Sequence, residues 1–286
     1  MNTPLYTLGI SPCPNDTFIF DALIHRRTEA PFTVQPHMAD VEELNALASR
    51  GTLEITKLSL AAASKVLDRY MLLNSGAALG RGCGPLVVSR AGVRHSTHKH
   101  CSIAIPGRLT TANLLLSLTG SFQGPRQEMV FDRIIPAVQS GKADLGVIIH
   151  EGRFTYAEHG LELVLDLGEW WERHTGLPLP LGVIAVRRDL GRQAALQIQQ
   201  AIHRSLEHAR AHPADGEAFI REHAQEMDPA VMAAHIRTFV NDFSLDLGEE
   251  GRRAVLDLLR AARKETGEAL PEAAALLPEQ VFAPEA

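Results

Sequence analysis

The sequence predicts an α/β protein with two lobes, and three observations support this fold class. Short apolar, β-branched segments alternate with segments of helical periodicity, as in parallel sheets flanked by helices. The alternation starts again near residue 101, and the chain from about residue 191 onwards is mostly helical. A length of 286 residues is enough for two domains that each bury a core.

The first set of elements is expected to contain four strands and three helices. The strands are predicted at 5–11, 32–38, 53–59 and 84–90. The helices are predicted at 16–27, 40–51 and 60–70. Asn15 or Asp16 is expected to cap the first helix after Pro14, and Gly51 is expected to end the second.

The second set of elements follows the same alternation. Strands are predicted at 101–107, 128–132, 143–150 and 180–188, with helices at 110–120 and 133–141. Residues 163–176 are expected to run from a strand into a short helix or turn. Helices are predicted at about 191–212, 213–225, 228–241 and 248–264, before a Pro-rich tail.

The restart of the pattern predicts a discontinuous domain organisation. Linkers are expected near 88–93 and 181–188, which gives a first lobe of 1–90 plus 186–286 and a second lobe of 91–185. Two chain crossings make a hinge, and the cleft between two lobes is the default place for a ligand.

Composition narrows the function classes. The net charge of −6 disfavours nucleic acid as a partner, and no apolar stretch is long enough to span a membrane. The cysteines, Cys13, Cys83 and Cys101, form no CxxC pair, as expected in a reducing compartment. The N-terminal residues do not resemble a secretory signal, so a cytoplasmic protein is expected.

The segment ADLGVIIHEGRFTY, residues 143–156, ends a predicted core strand on an ionisable pair. His150 at the carboxyl end of a parallel strand lies at the ligand edge of a sheet, and imidazole suits proton transfer near neutral pH. Glu151 can orient that ring, and Arg153 can pair with a carboxylate. The alternative is a partly buried histidine that caps the strand. The spacing is not HExxH, which excludes a zincin site.

Two turns have the composition of anion-binding sites. In IAIPGRLTTANLLL, Thr110 or Thr111 begins a helix after a Pro-Gly turn, so amides and hydroxyls lie at a helix N-terminus. In TKLSLAA, Lys57 and Ser59 lie where a strand meets a helix. The alternative for the first turn is a threonine cap without a ligand, which describes most such turns.

Two further segments favour structural interpretations. SPCPNDTFIF, residues 11–20, has the composition of a stiff strand-to-helix connector, although its position at the end of a strand also suits a ligand site. HSTHKHC carries His95, His98, His100 and Cys101, but its spacing matches no common zinc site and a solvated loop is favoured.

Several segments together resemble the 1,4-dihydroxy-6-naphthoate synthase family of the futalosine route to menaquinone. They are SPCPNDTFIF, TKLS, GAALGRGCGPLVV, PGRLTTA, IIHEGRFTY, TGLPLPLG and FSLDLGEEG. The resemblance runs from about residue 8 to residue 252, and SPCPNDTF together with IIHEGRFTY is specific. Where the family pattern has GGxLG, this chain has Gly76 followed by Ala77.

The resemblance implies a periplasmic-binding-protein-like (type II) fold, with two α/β lobes around a cleft and C-terminal helices. It implies a lyase that converts cyclic dehypoxanthinyl futalosine to 1,4-dihydroxy-6-naphthoate and dihydroxyacetone without metal or organic cofactor. His150 would be the general base. The implied substrate contacts are Lys57, Leu58, Ser59, Thr111 and Ala112.

Other hypotheses stay open at this point. Asn45, on the helix after the second strand, is a further candidate for a polar contact with the small-molecule substrate. A cytoplasmic small-molecule binding or sensor protein can share the fold, and so can the sister enzyme chorismate dehydratase. The sister enzyme is not expected to carry SPCPNDTF or IIHEGRFTY, and a base-competent histidine at the cleft favours an enzyme over a binding protein. The sequence does not indicate an oligomeric state.

Overall fold

The protein is described by a computed structural model, which covers residues 3–92, 98–224, 228–267 and 281–284. The chain divides into two compact units, Met1–Gly80 with Pro180–Ala286 and Arg81–Leu179. The predicted boundaries, after residues 90 and 185, lie later in the chain than the observed boundaries after Gly80 and Leu179. The difference arises because the strand at 86–90 pairs within the second unit, and the strand at 179–187 pairs within the first.

The strands, in chain order, are β1 (Leu5–Ile10), β2 (Thr33–Met38), β3 (Ile55–Ser59), β4 (Tyr70–Leu72), β5 (Ala78–Gly80), β6 (Leu86–Arg90), β7 (Ile103–Ile105), β8 (Arg126–Glu128), β9 (Leu145–Ile148), β10 (Leu161–Asp166) and β11 (Leu179–Arg187). The helices are α1 (Pro14–Ile24), α2 (Val41–Ser49), α3 (Leu60–Ala63), α4 (Thr111–Leu118), α5 (Ile134–Gln139), α6 (Gly152–Thr155), α7 (Leu167–Thr175), α8 (Gly191–Ala211), α9 (Glu217–His223), α10 (Pro229–Phe239), α11 (Asp242–Leu245) and α12 (Gly248–Thr266). Short 3₁₀ segments lie at Phe131–Arg133, Arg188–Leu190 and Pro213–Gly216.

The sheet of the first unit has the order β2-β1-β3-β11-β4, with β5 paired to β11. β1 is parallel to β2 and β3, whereas β11 is antiparallel to β3 and β4. The sheet is therefore mixed, whereas the sequence predicted a parallel sheet. Because β1 and β3 run the same way, the residues that follow them, from Ser11 and from Ser59, lie at one edge of this sheet.

The core of the first unit lies between this sheet and the helices that pack on it. Ile10 and Ile184 from the strands form one apolar cluster with Phe20 of α1 and Ile202 of α8, and all four are fully buried. Burial of side chains of this size contributes about 1.5–3 kcal/mol each. The start of α1 is thereby fixed against the sheet.

The sheet of the second unit has the order β10-β6-β9-β7-β8. β7 is parallel to β8 and β9, while β6 is antiparallel to β9 and β10. Val88, Ile134, Val138 and Ile148 belong to its core cluster. Since β7 and β9 are parallel neighbours, the segments that follow these two strands lie at the same edge.

Several predicted elements differ from those observed. The helix predicted at 60–70 ends after one turn as α3, because β4 begins at Tyr70 and pairs with β11. The strand predicted at 128–132 is β8 at Arg126–Glu128, followed by a 3₁₀ turn at Phe131–Arg133. No helix within the described ranges is long and apolar enough to cross a membrane.

The predicted cap of α1 is wrong. Cys13 occupies the N-cap position with no side-chain cap hydrogen bond, and Pro14 is the first helical residue. Proline suits that place because its missing N–H has no intrahelical partner there. The carboxylate of Asp16 is therefore available for other contacts, which are described below. Gly51 follows α2 with a φ of +70°, as expected for a residue that ends a helix.

Candidate functional site

His150 follows β9 in an unusual backbone conformation. Its φ is +55°, in the left-handed region that residues other than glycine seldom occupy. The side chain is half-buried, and its ring centroid lies 4.7 Å from that of Phe131 at an interplanar angle of 51°. Phe131 belongs to the 3₁₀ turn after β8. The backbone at His150 is therefore strained, and the aromatic ring of Phe131 packs against its imidazole.

Arg153 in α6 anchors the turn that carries His150. Its guanidinium donates a hydrogen bond to the carbonyl oxygen of Gly84, and its Nη2 lies 3.7 Å from Oδ2 of Asp166. The carboxylate that pairs with Arg153 in the structure is one of the protein's own. The same Asp166 caps α7 by accepting hydrogen bonds from the amides of Gly168 and Glu169. The arginine thus ties the turn after β9 to the start of α7.

The N-terminus of α4 lies at the same edge of the second sheet as His150, because β7 and β9 are parallel neighbours. Thr110 is the N-cap: its Oγ1 accepts from the amide of Asn113 at 3.2 Å and donates to the Gly107 carbonyl at 2.8 Å. Thr111 and Ala112 are the first two helical residues, and both are buried. Their amides point along the helix axis, where the helix dipole favours an anionic group.

A buried ion pair marks the corresponding edge of the first sheet. Lys57 Nζ lies 2.7 Å from Asp16 Oδ1, and the two side chains are 8% and 1% exposed. The amide and the hydroxyl of Ser11 both donate to Asp16 Oδ2, at 3.1 and 2.8 Å. Asn15 Nδ2 donates to Oδ1 at 2.8 Å. Four donors therefore satisfy this carboxylate, which is the condition for keeping a buried charge.

Asn45 lies behind Ser59 rather than at an open surface. Asn45 is fully buried, its Oδ1 accepts from the Ser59 amide at 3.0 Å, and its Nδ2 donates to Ser59 Oγ at 3.1 Å. The side-chain amide of Asn45 thus holds the backbone N–H and the hydroxyl of Ser59 in place. Leu58 is fully buried, so only its backbone is suited to contact a polar ligand. Direct contact of Asn45 with substrate stays a prediction.

The network of the first unit extends to a residue that the sequence did not single out. His235 of α10 is 1% exposed, and its Nε2 lies 2.9 Å from Asn15 Oδ1. Phe131 beside His150 was also missed. Neither residue lies in a recognisable motif. His235 is more than two hundred residues from Asn15 in the sequence, so no local pattern could link the two. The SPCPND segment was the available signal, but its acidic residue was assigned to a helix cap.

Among the residues that the structure describes, the cysteines and histidines give no metal-binding cluster, and the Cys83 thiol is not activated. Burial raises the pKa of the Cys83 thiol to about 12, so it stays protonated and poorly nucleophilic at neutral pH. Within the described ranges, no group of three or more His, Cys, Asp or Glu side chains is arranged to hold a metal ion. His95 lies outside the described residues.

Comparison with known proteins gives a consistent result. Residues 6–264 match the protein family described as menaquinone biosynthesis. A Thermus thermophilus protein named 1,4-dihydroxy-6-naphthoate synthase is 52% identical over 255 residues, which cover 89% of this chain and 93% of that protein. A Streptomyces coelicolor protein of the same name is 44% identical over 273 residues, covering 93% and 95% of the two chains.

Solved structures show the same fold. A crystal structure of a protein from Archaeoglobus fulgidus superposes with a TM-score of 0.85 at 33% identity, over 93% of this chain and 98% of that chain. The periplasmic aliphatic sulphonate-binding protein of Escherichia coli superposes with a TM-score of 0.66 at 12% identity, over 98% and 92%. The second likeness concerns the fold alone, and it confirms the predicted periplasmic-binding-protein-like class.

The clamp on Ser59 gives a first testable prediction. Asn45→Leu is expected to lower the free energy of unfolding by about 2–3 kcal/mol, because the Ser59 amide and hydroxyl are left buried without partners. Glu42→Ala is the comparison variant, since it removes the outer hydrogen bond from Asn45 Nδ2 to Glu42 Oε2 at 3.2 Å and keeps both bonds between Asn45 and Ser59. Urea unfolding measures both variants, and equal losses in the two would contradict the special role of Asn45.

Proposed function

The chain belongs to the menaquinone biosynthesis family, and we propose that it is a 1,4-dihydroxy-6-naphthoate synthase. In this proposal it converts cyclic dehypoxanthinyl futalosine to 1,4-dihydroxy-6-naphthoate and dihydroxyacetone. The single observation that carries the proposal is similarity over nearly the whole chain to two proteins of that name. The cytoplasm stays the expected compartment.

The reaction fragments a sugar that is spiro-fused to a bicyclic ring, and the ring becomes aromatic. A base removes a proton beside a carbonyl or hydroxyl group, the sugar ring opens at its carbon–oxygen bond, and the carbon–carbon bond to the three-carbon fragment breaks. The released fragment takes up a proton, and the two products divide the atoms of the substrate. No electron acceptor or donor enters this balance. The protein must therefore supply a base, a fixed orientation and groups that hold the polar ends of the substrate.

We assign the base to His150. An imidazole titrates near neutral pH, so its neutral form is available to accept a proton. The positive φ at His150 and the ring of Phe131 at 4.7 Å support this role, because both restrict the orientations of the imidazole. Strained backbone at a residue other than glycine is more often tolerated where it serves a site than elsewhere.

The substrate contacts in this proposal lie at the carboxyl edge of each sheet. In the second unit, the amides of Thr111 and Ala112 hold a carboxylate or another polar oxygen, with support from the dipole of α4. In the first unit, Lys57 and the backbone of Leu58 contact polar groups, together with Ser59. The ion pair of Lys57 with Asp16 supports a fixed cationic contact.

Turnover of the proposed substrate tests the function directly. Purified protein mixed with cyclic dehypoxanthinyl futalosine, without added metal or cofactor, is expected to release 1,4-dihydroxy-6-naphthoate, detected by its absorbance and by mass spectrometry together with dihydroxyacetone. Tight binding without turnover would support the binding-protein alternative instead. Turnover of chorismate would support the sister dehydratase.

His150 is tested by substitution. His150→Ala is expected to lower kcat by at least about 100-fold while substrate binding changes little, because a general base contributes roughly 10²–10⁴-fold. In the wild type, kcat/KM should fall as acidic pH protonates the imidazole, and the residual activity of the variant should lack that acid limb. His174→Ala, at an exposed histidine on α7 of the same unit, is the control and should retain activity. Turnover equal to the wild type would remove His150 from the mechanism.

Thr111 offers a backbone test of the contact at α4. Thr111→Pro deletes one amide donor, but proline is favoured at the first helical position and the extended backbone of Thr110 (ψ 149°) suits a residue before proline. KM is expected to rise by at least about tenfold with little change in melting temperature. Thr111→Ala keeps the amide and should show a much smaller effect. An unchanged KM in the proline variant would contradict the role of this amide.

A further inference from the structure

We propose that His235 is a positioning residue of the active site, which acts on Lys57 through Asn15 and Asp16. The inference rests on the proposed function to the extent that Lys57 contacts the substrate. Four side chains form one hydrogen-bonded chain within the first unit. The three distances are 2.9 Å from His235 Nε2 to Asn15 Oδ1, 2.8 Å from Asn15 Nδ2 to Asp16 Oδ1, and 2.7 Å from Lys57 Nζ to the same oxygen.

The hydrogen bonds of the chain converge on Asp16, which accepts from Asn15 on one side and from Lys57 on the other. A carboxylate only accepts hydrogen bonds, so the Asn15 group that faces Asp16 must be the NH₂ and the group that faces His235 must be the carbonyl oxygen. Because that oxygen also only accepts, His235 Nε2 must carry a proton. His235 therefore fixes which way the amide of Asn15 points. A reversed amide would set its oxygen against the carboxylate of Asp16.

Burial makes this orientation consequential. His235, Asn15, Asp16 and Lys57 are all at least 94% buried, so water cannot easily replace a missing partner. Asp16 Oδ1 is shared between Asn15 and Lys57, and a rotated Asn15 would displace the carboxylate from the ammonium. The Ser11 donors hold Oδ2 of Asp16, and the residue at the far end of the chain orients the donor to Oδ1, the oxygen that contacts Lys57 Nζ.

The position of Lys57 Nζ depends on its hydrogen bond to Asp16. In the described part of the chain, Asp16 is the hydrogen-bond partner that the structure assigns to this ammonium. An ammonium has three N–H groups, so two remain for oxygen atoms of a ligand. Loss of the chain should therefore weaken substrate binding before it affects the proton transfer at His150.

Steady-state kinetics provide the first half of the test. His235→Leu removes the donor, and kcat/KM is expected to fall about tenfold, mainly through KM, as the loss of one buried hydrogen bond predicts. His235→Gln restores a donor to Asn15 and should return kcat/KM to within about threefold of the wild type. The matched control is His203→Gln, at a histidine that bonds the Leu245 carbonyl in the same unit and should leave KM unchanged.

Lysine side-chain NMR provides the second half and needs no substrate. The sequence has five lysines, so the ¹⁵N-labelled ammonium groups give few signals, and loss of one in Lys57→Arg assigns Lys57. His235→Leu is expected to shift or broaden that signal, and His235→Gln to restore it. If His235→Leu does not fold, Asn15→Ala cuts the chain at its middle and should produce the same change in KM and in the spectrum.

The two readouts separate the two hypotheses. If the wild type does not turn over the substrate, the proposed function fails, and the Lys57 signal still decides whether His235 positions this ammonium. If the wild type is active but His235→Leu leaves both KM and the Lys57 signal unchanged, the inference is wrong. Equal losses in the Leu and Gln variants, accompanied only by a lower melting temperature, would also overturn it.

Discussion

The carboxylate of Asp16 is the constraint on which the proposed substrate contacts of the first unit depend. A buried charge is tolerated only when its partners satisfy it, and removal of one partner of a buried pair costs about 3–5 kcal/mol. Asp16 receives donors from Ser11, Asn15 and Lys57, which come from the turn after β1, the start of α1 and β3. One side chain thus joins three elements at the sheet edge where the substrate contacts are proposed.

The second unit reaches its geometry by register and strain instead of charge. Parallel pairing of β7 and β9 brings the start of α4 and the turn at His150 to one edge. The positive φ at His150 costs on the order of 1–3 kcal/mol, which the buried strand and the anchor through Arg153 must offset. This restriction fits the role proposed for His150, because a preorganised group has fewer orientations to lose when a substrate binds.

The features that the sequence predicted correctly are those that depend on local hydrophobic periodicity and on turn residues. The strands β1, β3 and β9 and the N-cap of α4 at Thr110 follow from local patterns. The antiparallel partners β6 and β11 did not, because strand direction depends on pairing between distant segments. The role of Asp16 was missed for a related reason: an acidic residue after proline satisfies the local rule for a helix cap, and only β3 supplies the lysine that competes for it. His235 carries no local signal at all.

The fold does not explain the presence of this network. A protein only 12% identical to this chain reaches the same fold, so the architecture does not require this particular sequence. A buried ion pair is also weak evidence for stability, since apolar side chains of similar volume often replace such pairs without loss. Apolar side chains cannot supply a cation at a defined position, where it could bind oxygen atoms of the proposed substrate. We therefore attribute the chain from His235 to Lys57 to the proposed recognition of a polar substrate rather than to the needs of folding.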